Sequence, residues 1–406
     1  MKKVSTESYK GVRDFYPEDK ALQNYIIGTM RKVVESFGYE EYDASVLEYS
    51  DLYKSKTSDE IVNDQTYTFT DRGGREVTMR PEMTPTLARM IAAKHKSLLF
   101  PIRWYSIPNF FRYERPQKGR LREFWQLNVD IFGIKTISAE IEVLEIAFRI
   151  MEAFGLKQEH FKIRINDRVL IDETLKGLGL DEEQSAEVRR LIDRKDKIDN
   201  FDEEMTALIG KPLSLDILPN ENIKTLIESL AKRGIHNVVF TPTLMRGFDY
   251  YTGIVFEVFD TSGENNRALF GGGRYDRLLE IFGEEKIPAF GFGMGDVTMR
   301  DVLTTHKLLP SYTSNAHLYI CTVDQESFEG AYALAETLRK DGINVIVDSS
   351  SKKVGSQVEY ASKKKIPFIL CVGENELTNK KYILKNLFSG DEQEVTLSDI
   401  PKHIKK

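Results

Sequence analysis

The 406-residue sequence predicts an α+β protein: an antiparallel-sheet domain with a helical insertion, followed by a separate α/β domain. Three observations predict it. Strand-like runs joined by hairpin-type links dominate the N-terminal part, and such links favour antiparallel pairing. Residues 167–235 lose the strand signal and carry a charged helical stretch, "DEEQSAEVRRLIDRKDKIDNFDEEMTALIG". After "PSYTSN" strands alternate with helices, the pattern of a mostly parallel sheet. The expected division is 1–312 for the sheet domain, 167–235 for the insertion within it, and 313–406 for the last domain.

The elements follow in order. "YPEDKALQNYIIGTMRKVVESFGY" predicts a first helix with Pro17 and acids at its start. Ile26, Met30, Val33, Val34 and Phe37 give it one apolar face, and Gly38 is its C-terminal stop. "TYTFTDRGGREVTMRPE" reads as a hairpin turning at Gly73-Gly74, and "TPTLARMIAAKHKSLL" as a helix with Pro85 in its first turn. "RWYSIPNFFRYERPQKGRLREFWQLNVDIFG" is a strand, a basic loop and a returning strand. Ser138 is expected to cap the amphipathic helix "AEIEVLEIAFRIMEAFG", which ends at Gly155. "IVFEVF" from Ile254 to Phe259 is a strand preceded by a turn with glycines at 247 and 253. In the last domain "HLYICTV", "INVIVDS" and "PFILCVG" are strands, separated by helices.

Composition narrows the class. Hydrophobic content of 41% and charged content of 30% fit an ordinary soluble protein, and runs such as "IPFILCV" are too short to span a bilayer. No charged-then-apolar leader opens the chain, so a cytoplasmic protein is expected. Cys321 and Cys371 lie in apolar runs and read as small buried hydrophobes. Neither they nor His306 and His317 have ligand spacing, so no structural metal is expected. A net charge of −6 weighs against, but leaves open, a nucleic-acid partner bound through a local basic groove.

Candidate chemistry gathers in six stretches. "FFRYERPQKGRLREF" holds Arg112, Arg115, Lys118, Arg120 and Arg122, with Glu114 and Glu123 between them. Arg112 and Glu114 share strand parity and so face one side, where a guanidinium can fork onto a phosphate or carboxylate. The plainer reading is a solvated basic hairpin tip, which suits residues 117–120 better than Arg112. On the returning strand Gln126, Asn128 and Asp130 alternate with Leu127, Val129 and Ile131, giving one polar face. It is either a solvent face or the floor of a polar site. "RPEMTP" places Glu82 and Thr84 where a strand meets a helix, and "LMRGFDYY" leads Arg246, Tyr250 and Tyr251 towards a strand. "LFGGGRYD", with Tyr275, and "AFGFGMGD" are glycine clusters that either let backbone approach a ring or phosphate or form ordinary turns. Neither matches a dinucleotide or P-loop fingerprint.

"FRYERPQKGR" resembles motif 2 of the class II aminoacyl-tRNA synthetases, and "MRGFDYYTGIVFEV" and "FGGGRYD" resemble the two signature peptides of the histidyl-tRNA synthetase family. "YKGVRDFYPED", "VRRLIDRKDKID" and "KIPFILCVGENEL" extend the likeness to the N-terminus, the insertion and the anticodon-binding domain. The resemblance implies a class II catalytic domain that activates L-histidine with ATP and Mg2+, with no tightly bound cofactor. It then transfers histidine to tRNA(His); a homodimer with no membrane attachment is implied. It also implies roles. Arg112 and Arg246 would flank the reacting phosphate and carboxylate as the catalytic cations. Glu82 and Thr84 would hold the α-ammonium, and Gln126, Asp130, Tyr250 and Tyr251 would enclose the substrate, with Tyr275 closing the pocket. ATP would meet Arg112, Glu114, Arg120 and Arg246, while Arg115 and Gln117 would meet the tRNA.

Three features depart from the family pattern. Ser45 stands where motif 1 usually has proline, and Asp130 where glutamate is common. Val297 and Thr298 replace the Glu-Arg that closes motif 3; Arg300, two residues on, points elsewhere on a helix and is read as structural. The rival reading is the paralogue that serves as the histidine-sensing regulatory subunit of ATP phosphoribosyltransferase, which keeps the core, lacks the last domain and erodes the aminoacylation residues. This chain keeps Arg112, Gln126, Arg246 and both tyrosines, which favours the enzyme.

Overall fold

The computed structural model describes residues 4–405 except 55–64, 116, 118, 194, 196, 197, 199, 212, 214–216, 247–249 and 266. It divides into two units, Met1–Leu309 and Pro310–Lys406. Among the described residues no helix is long and apolar enough to cross a membrane.

In the first unit a nine-stranded sheet carries the architecture. Its centre is antiparallel: Ile102–Ser106, Glu123–Phe132, Ala289–Gly295, Ala268–Arg274, Ile254–Asp260 and Phe161–Asp167 lie side by side. Both edges are parallel pairs, Glu40–Glu41 on one and Val238–Phe240 on the other, so the sheet is mixed rather than purely antiparallel. A three-stranded sheet forms beside it from Leu47–Tyr49, Glu76–Met79 and Tyr67–Thr70, the last two making the expected hairpin.

Strand alternation sorts the large sheet into two faces. Leu127, Val129, Ile131, Phe256, Val258, Phe290, Phe292 and Met294 share a core with the helices Pro17–Ser36, Ser138–Ala153, Glu221–Ala231 and Asp296–Thr305. The first helix begins at Pro17, where a missing N–H leaves no orphan donor. Ser138 is not the cap that the sequence suggests. It is the first helical residue, and its hydroxyl bonds the Thr136 hydroxyl at 2.7 Å instead. The opposite face of the sheet stays polar and open over its central strands, and the helix Thr84–Lys94 covers one end of it through Leu87, Ala88 and Ile91.

Helices Arg168–Gly177, Glu182–Asp193 and Phe201–Ile209 build a small core of their own, with Ile171, Leu175, Val188, Leu191 and Met205. Helix Glu221–Ala231 instead buries Ile223, Leu226 and Leu230 in the main core. The second unit is a five-stranded sheet in which Val345–Val347, Leu318–Thr322 and Phe368–Val372 are parallel. Two further strands, Tyr382–Asn386 and Glu392–Val395, extend it antiparallel; the glutamates of the second, at the sheet edge, hide its strand pattern in the sequence.

Arg274 fastens the sheet to the helix Ser138–Ala153. Its guanidinium forks onto Glu140, with Nη2 donating at 2.6 Å, and Nη1 donates to Ile134 O and to Asp276 at 3.2 Å. Glu140 is buried, so removing the arginine strands its charge. Arg274→Met is expected to lower stability by about 3–5 kcal/mol, read from chemical denaturation.

Candidate active site

Glycine decides the shape of the polar face. Gly271 pairs across the sheet with Gly293, and Gly273 with Gly291, so four positions in two adjacent strands carry no side chain. These glycines lie in strands, not in turns. A Cβ at each would collide with a candidate residue: 2.1 Å from Arg246 Nη1 at 271, 2.8 Å from the Tyr251 ring at 273. At 291 it would stand 2.2 Å from Asp130 Oδ1, and at 293 within 2.8 Å of the Gln126 amide carbon. The floor is bare so that neighbouring side chains can lie across it.

Those side chains arrive from three directions. Gln126, Asn128 and Asp130 rise from strand Glu123–Phe132 with the parity that the sequence shows. Glu82 and Thr84 come from the entry to helix Thr84–Lys94. Arg246, Tyr250 and Tyr251 come from the connection into strand Ile254–Asp260, which is tied down at both ends. Buried Asn166 donates from Nδ2 to Pro242 O and Leu244 O at 3.0 Å, and Thr252 N donates to Arg274 O at 2.7 Å. Gly247 and Asp249 of that connection lie outside the described residues.

The result is one cavity of about 100 Å³, room for several waters or one small polar molecule. Glu82, Thr84, Arg112, Gln126, Asp130, Arg246, Tyr250, Tyr251 and Tyr275 all line it. Asn128, Phe292 and three of the bare glycines, Gly271, Gly291 and Gly293, line it too. Asn128 was visible in the sequence as the middle member of the polar stripe, whereas no sequence pattern shows which glycine faces which side chain.

Charge is concentrated and partly buried here. Arg246 Nη1 lies 3.2 Å from Glu257 Oε1, while its Nε is buried with no hydrogen-bond partner among the described residues. Burial works to lower the Arg246 pKa, but Tyr251, Glu257 and Tyr250 together hold it above the ordinary value. Arg112 donates from Nε to Pro81 O at 2.8 Å and stands 5.3 Å from the Phe124 ring centre. Burial lowers its pKa, against the pull of Glu114 and Glu82. The Tyr250 hydroxyl donates to Glu82 at 3.2 Å, and the Tyr275 hydroxyl donates to Asp130. Burial pushes the Asp130 carboxyl up to about 7, despite the lowering effect of the Tyr275 hydrogen bond.

Glu114, Arg115, Gln117 and Arg120 lie on the connection leading away from the cavity and do not line it. Glu114 Oε2 stands 3.1 Å from Arg120 Nη1, and exposed Gln117 accepts from Arg267 at 3.2 Å. Arg115 is exposed. Thr298 turns its hydroxyl to Leu269 O at 2.7 Å, and Arg300 reaches Asp19 at 3.7 Å, away from the cavity.

Comparison with known proteins places this geometry. The family model "Histidyl-tRNA synthetase" matches residues 11–208 and 199–296, and "Anticodon binding domain" matches 317–406. A histidine–tRNA ligase of Leptospira biflexa is 44% identical, covering 100% of this chain and 98% of its own length. A crystal structure of apo histidyl-tRNA synthetase from S. aureus superposes with a TM-score of 0.74 at 27% identity, covering 100% of both chains. One from Nostoc sp. PCC 7120, at 24% identity and 99% coverage of each chain, shares the fold with a TM-score of 0.82. The family match over most of the chain, the matched anticodon-binding domain and a full-length relative named as a ligase make this an aminoacyl-tRNA ligase. The chain belongs to the histidyl-tRNA synthetase family.

The Asp130 carboxyl gives a stability test. With a folded pKa near 7 against about 3.9 unfolded, it favours the fold only while protonated, and that contribution is lost as pH rises through 7. Asp130→Asn is therefore expected to melt at a higher temperature than wild type at pH 8. The gap should narrow as pH falls towards about 5 in a thermal scan.

Proposed function

We propose that this chain, a histidine–tRNA ligase, performs both steps of its reaction over the glycine floor, with Arg112 and Arg246 as the catalytic cations. The histidine carboxylate attacks the α-phosphorus of ATP. A carboxyl–phosphate bond forms and pyrophosphate leaves with the electrons of the broken P–O bond. The terminal ribose hydroxyl of tRNA(His) then attacks the activated carbonyl and AMP leaves. Two fixed guanidinium groups beside the reacting atoms stabilise charge as it builds on phosphorus-bound oxygen, without reorganising at that moment. The observation that carries the reading is that all nine residues proposed to hold histidine line one cavity.

Within it, Glu82 and Thr84 hold the α-ammonium, while Gln126, Asp130, Tyr250 and Tyr251 enclose the side chain and Tyr275 closes the end. Asp130 and Tyr251 lie nearest the imidazole; an acid and a phenol there satisfy both ring nitrogens, so an apolar competitor would leave them unpaired. ATP, supplied as its Mg2+ complex, would extend towards Glu114 and Arg120, the ion adding charge neutralisation with few protein ligands. Arg115 and Gln117, exposed beyond, meet the tRNA. The chain acts in the cytoplasm as a homodimer. The exposed apolar side chains Leu47, Tyr49 and Phe69 of the three-stranded sheet support an interface there. We divide the chain into a catalytic domain at 1–312, the insertion beginning at 167, and the anticodon-binding domain at 313–406. Because helix Glu221–Ala231 packs in the main core, the self-contained part of the insertion ends before Asn220.

Retention of the whole cavity, together with a full-length relative named as a ligase, weighs against the regulatory-subunit reading. Histidine-dependent ATP–pyrophosphate exchange is the test. Arg246→Ala is expected to lower its rate by about 10²–10³-fold with the fold intact. Exchange that survives the substitution would remove Arg246 from the chemistry. Gly293→Ala, whose Cβ meets only the Gln126 side chain among close neighbours, should displace that amide. The KM for histidine is expected to rise about tenfold, the scale of one lost hydrogen bond, with little change in melting temperature.

A further inference from the structure

Behind Asp130 the cavity face continues into two hydroxyls that the reaction scheme leaves unused. Glu40 and Glu41 pair with Trp104 and Tyr105, and Tyr42 N donates to Tyr105 O at 2.8 Å. Continuing that register sets Tyr42 beside Ser106, which pairs with Asn128, while Trp104 pairs with Asp130. Tyr42, Ser106 and Asn128 thus form a row next to Asp130 on the same face, and the Tyr42 ring packs 5.8 Å from Trp104. The Tyr42 and Ser106 hydroxyls are buried close enough to interact with each other, and neither has a further hydrogen-bond partner among the described residues. Buried hydroxyls are rarely left so, because the lost hydration is not recovered. Asp130 is itself 3% exposed and receives one phenol, that of Tyr275.

We propose that Tyr42 is a positioning residue for imidazole recognition: its hydroxyl and that of Ser106 hold one water against Asp130. The carboxylate is thereby aimed at the histidine side chain. This rests on the reading of Asp130 as the imidazole contact. A carboxylate with a single phenol donor in a buried site is biased towards its neutral form, which accepts poorly from an imidazole N–H. A second donor favours the charged form. It also locates a side chain that is one methylene shorter than glutamate. The groups that feel the charge of Asp130 are phenols from every side: Tyr39, Tyr42, Tyr251 and Tyr275. Tyr42 also feels Asp43 and Arg80.

The test is the pH profile of kcat/KM for histidine in pyrophosphate exchange, measured on wild type, Tyr42→Phe, Ser106→Ala and Asp130→Asn. Loss of a donor to the carboxylate raises its pKa, so the acid limb should move upward by about one pH unit in Tyr42→Phe and in the same direction in Ser106→Ala. KM should rise more than kcat falls. Titration of the substrate imidazole is common to all four proteins and cancels in the comparison. An acid limb that stays in place in both hydroxyl variants, while Asp130→Asn weakens histidine use, overturns the role of Tyr42 and Ser106. A lowered melting temperature with an unmoved limb overturns it equally, as that is mere packing. Unchanged histidine use in Asp130→Asn overturns the underlying reading of Asp130, and the inference with it.

Discussion

Four glycines facing one another across two strands set the condition on which the site depends. The central strands of a sheet are normally its most crowded part, since every residue presents a Cβ to one face or the other. Here Gly271, Gly273, Gly291 and Gly293 present none, and the space is taken by the side chains of Arg246, Tyr251, Asp130 and Gln126. A polar substrate can then be held against backbone in the middle of a rigid sheet. Glycine weakens a strand, by about 1 kcal/mol at a typical position, and the apolar underside offsets this by packing Phe256, Phe290 and Phe292 against four helices.

Holding charged groups in such a place works against stability. Burial lowers the Arg112 pKa and raises that of Asp130. The structure meets this with fixed partners: Pro81 O for Arg112, Glu257 for Arg246, Tyr275 for Asp130. Each partner leaves part of the charged group unengaged, and a charged group held without full solvation is available to a substrate at no reorganisation cost. The buried Arg274–Glu140 fork has the opposite character. Both carboxylate oxygens accept from the guanidinium, and the pair locks sheet to helix.

Much of this was legible from residues alone. Strand parity put Gln126, Asn128 and Asp130 on one face because a period of two is enforced by backbone geometry. The first helix, the hairpin around Gly74 and the alternation of the last domain were likewise local patterns. The family resemblance then assembled nine residues that the cavity brings together. Ser138 failed as a cap because the hydroxyl of Thr136 competes for it, a contact invisible to a capping rule. The strand Glu392–Val395 went unread because an edge strand carries charge on its exposed positions.

The sequence by itself determined the family, the secondary-structure elements that bear the site, and which polar side chains line its cavity, because those follow from local periodicity and from short peptides with few alternatives. Only the tertiary structure decided which glycine makes room for which side chain. The same holds for the parallel edges of the sheet, for helix Glu221–Ala231 joining the main core, and for Tyr42 and Ser106 coming to lie behind Asp130. Each of these depends on register between strands far apart in the chain. Register is set by the packing of whole faces, which no local stretch of residues contains.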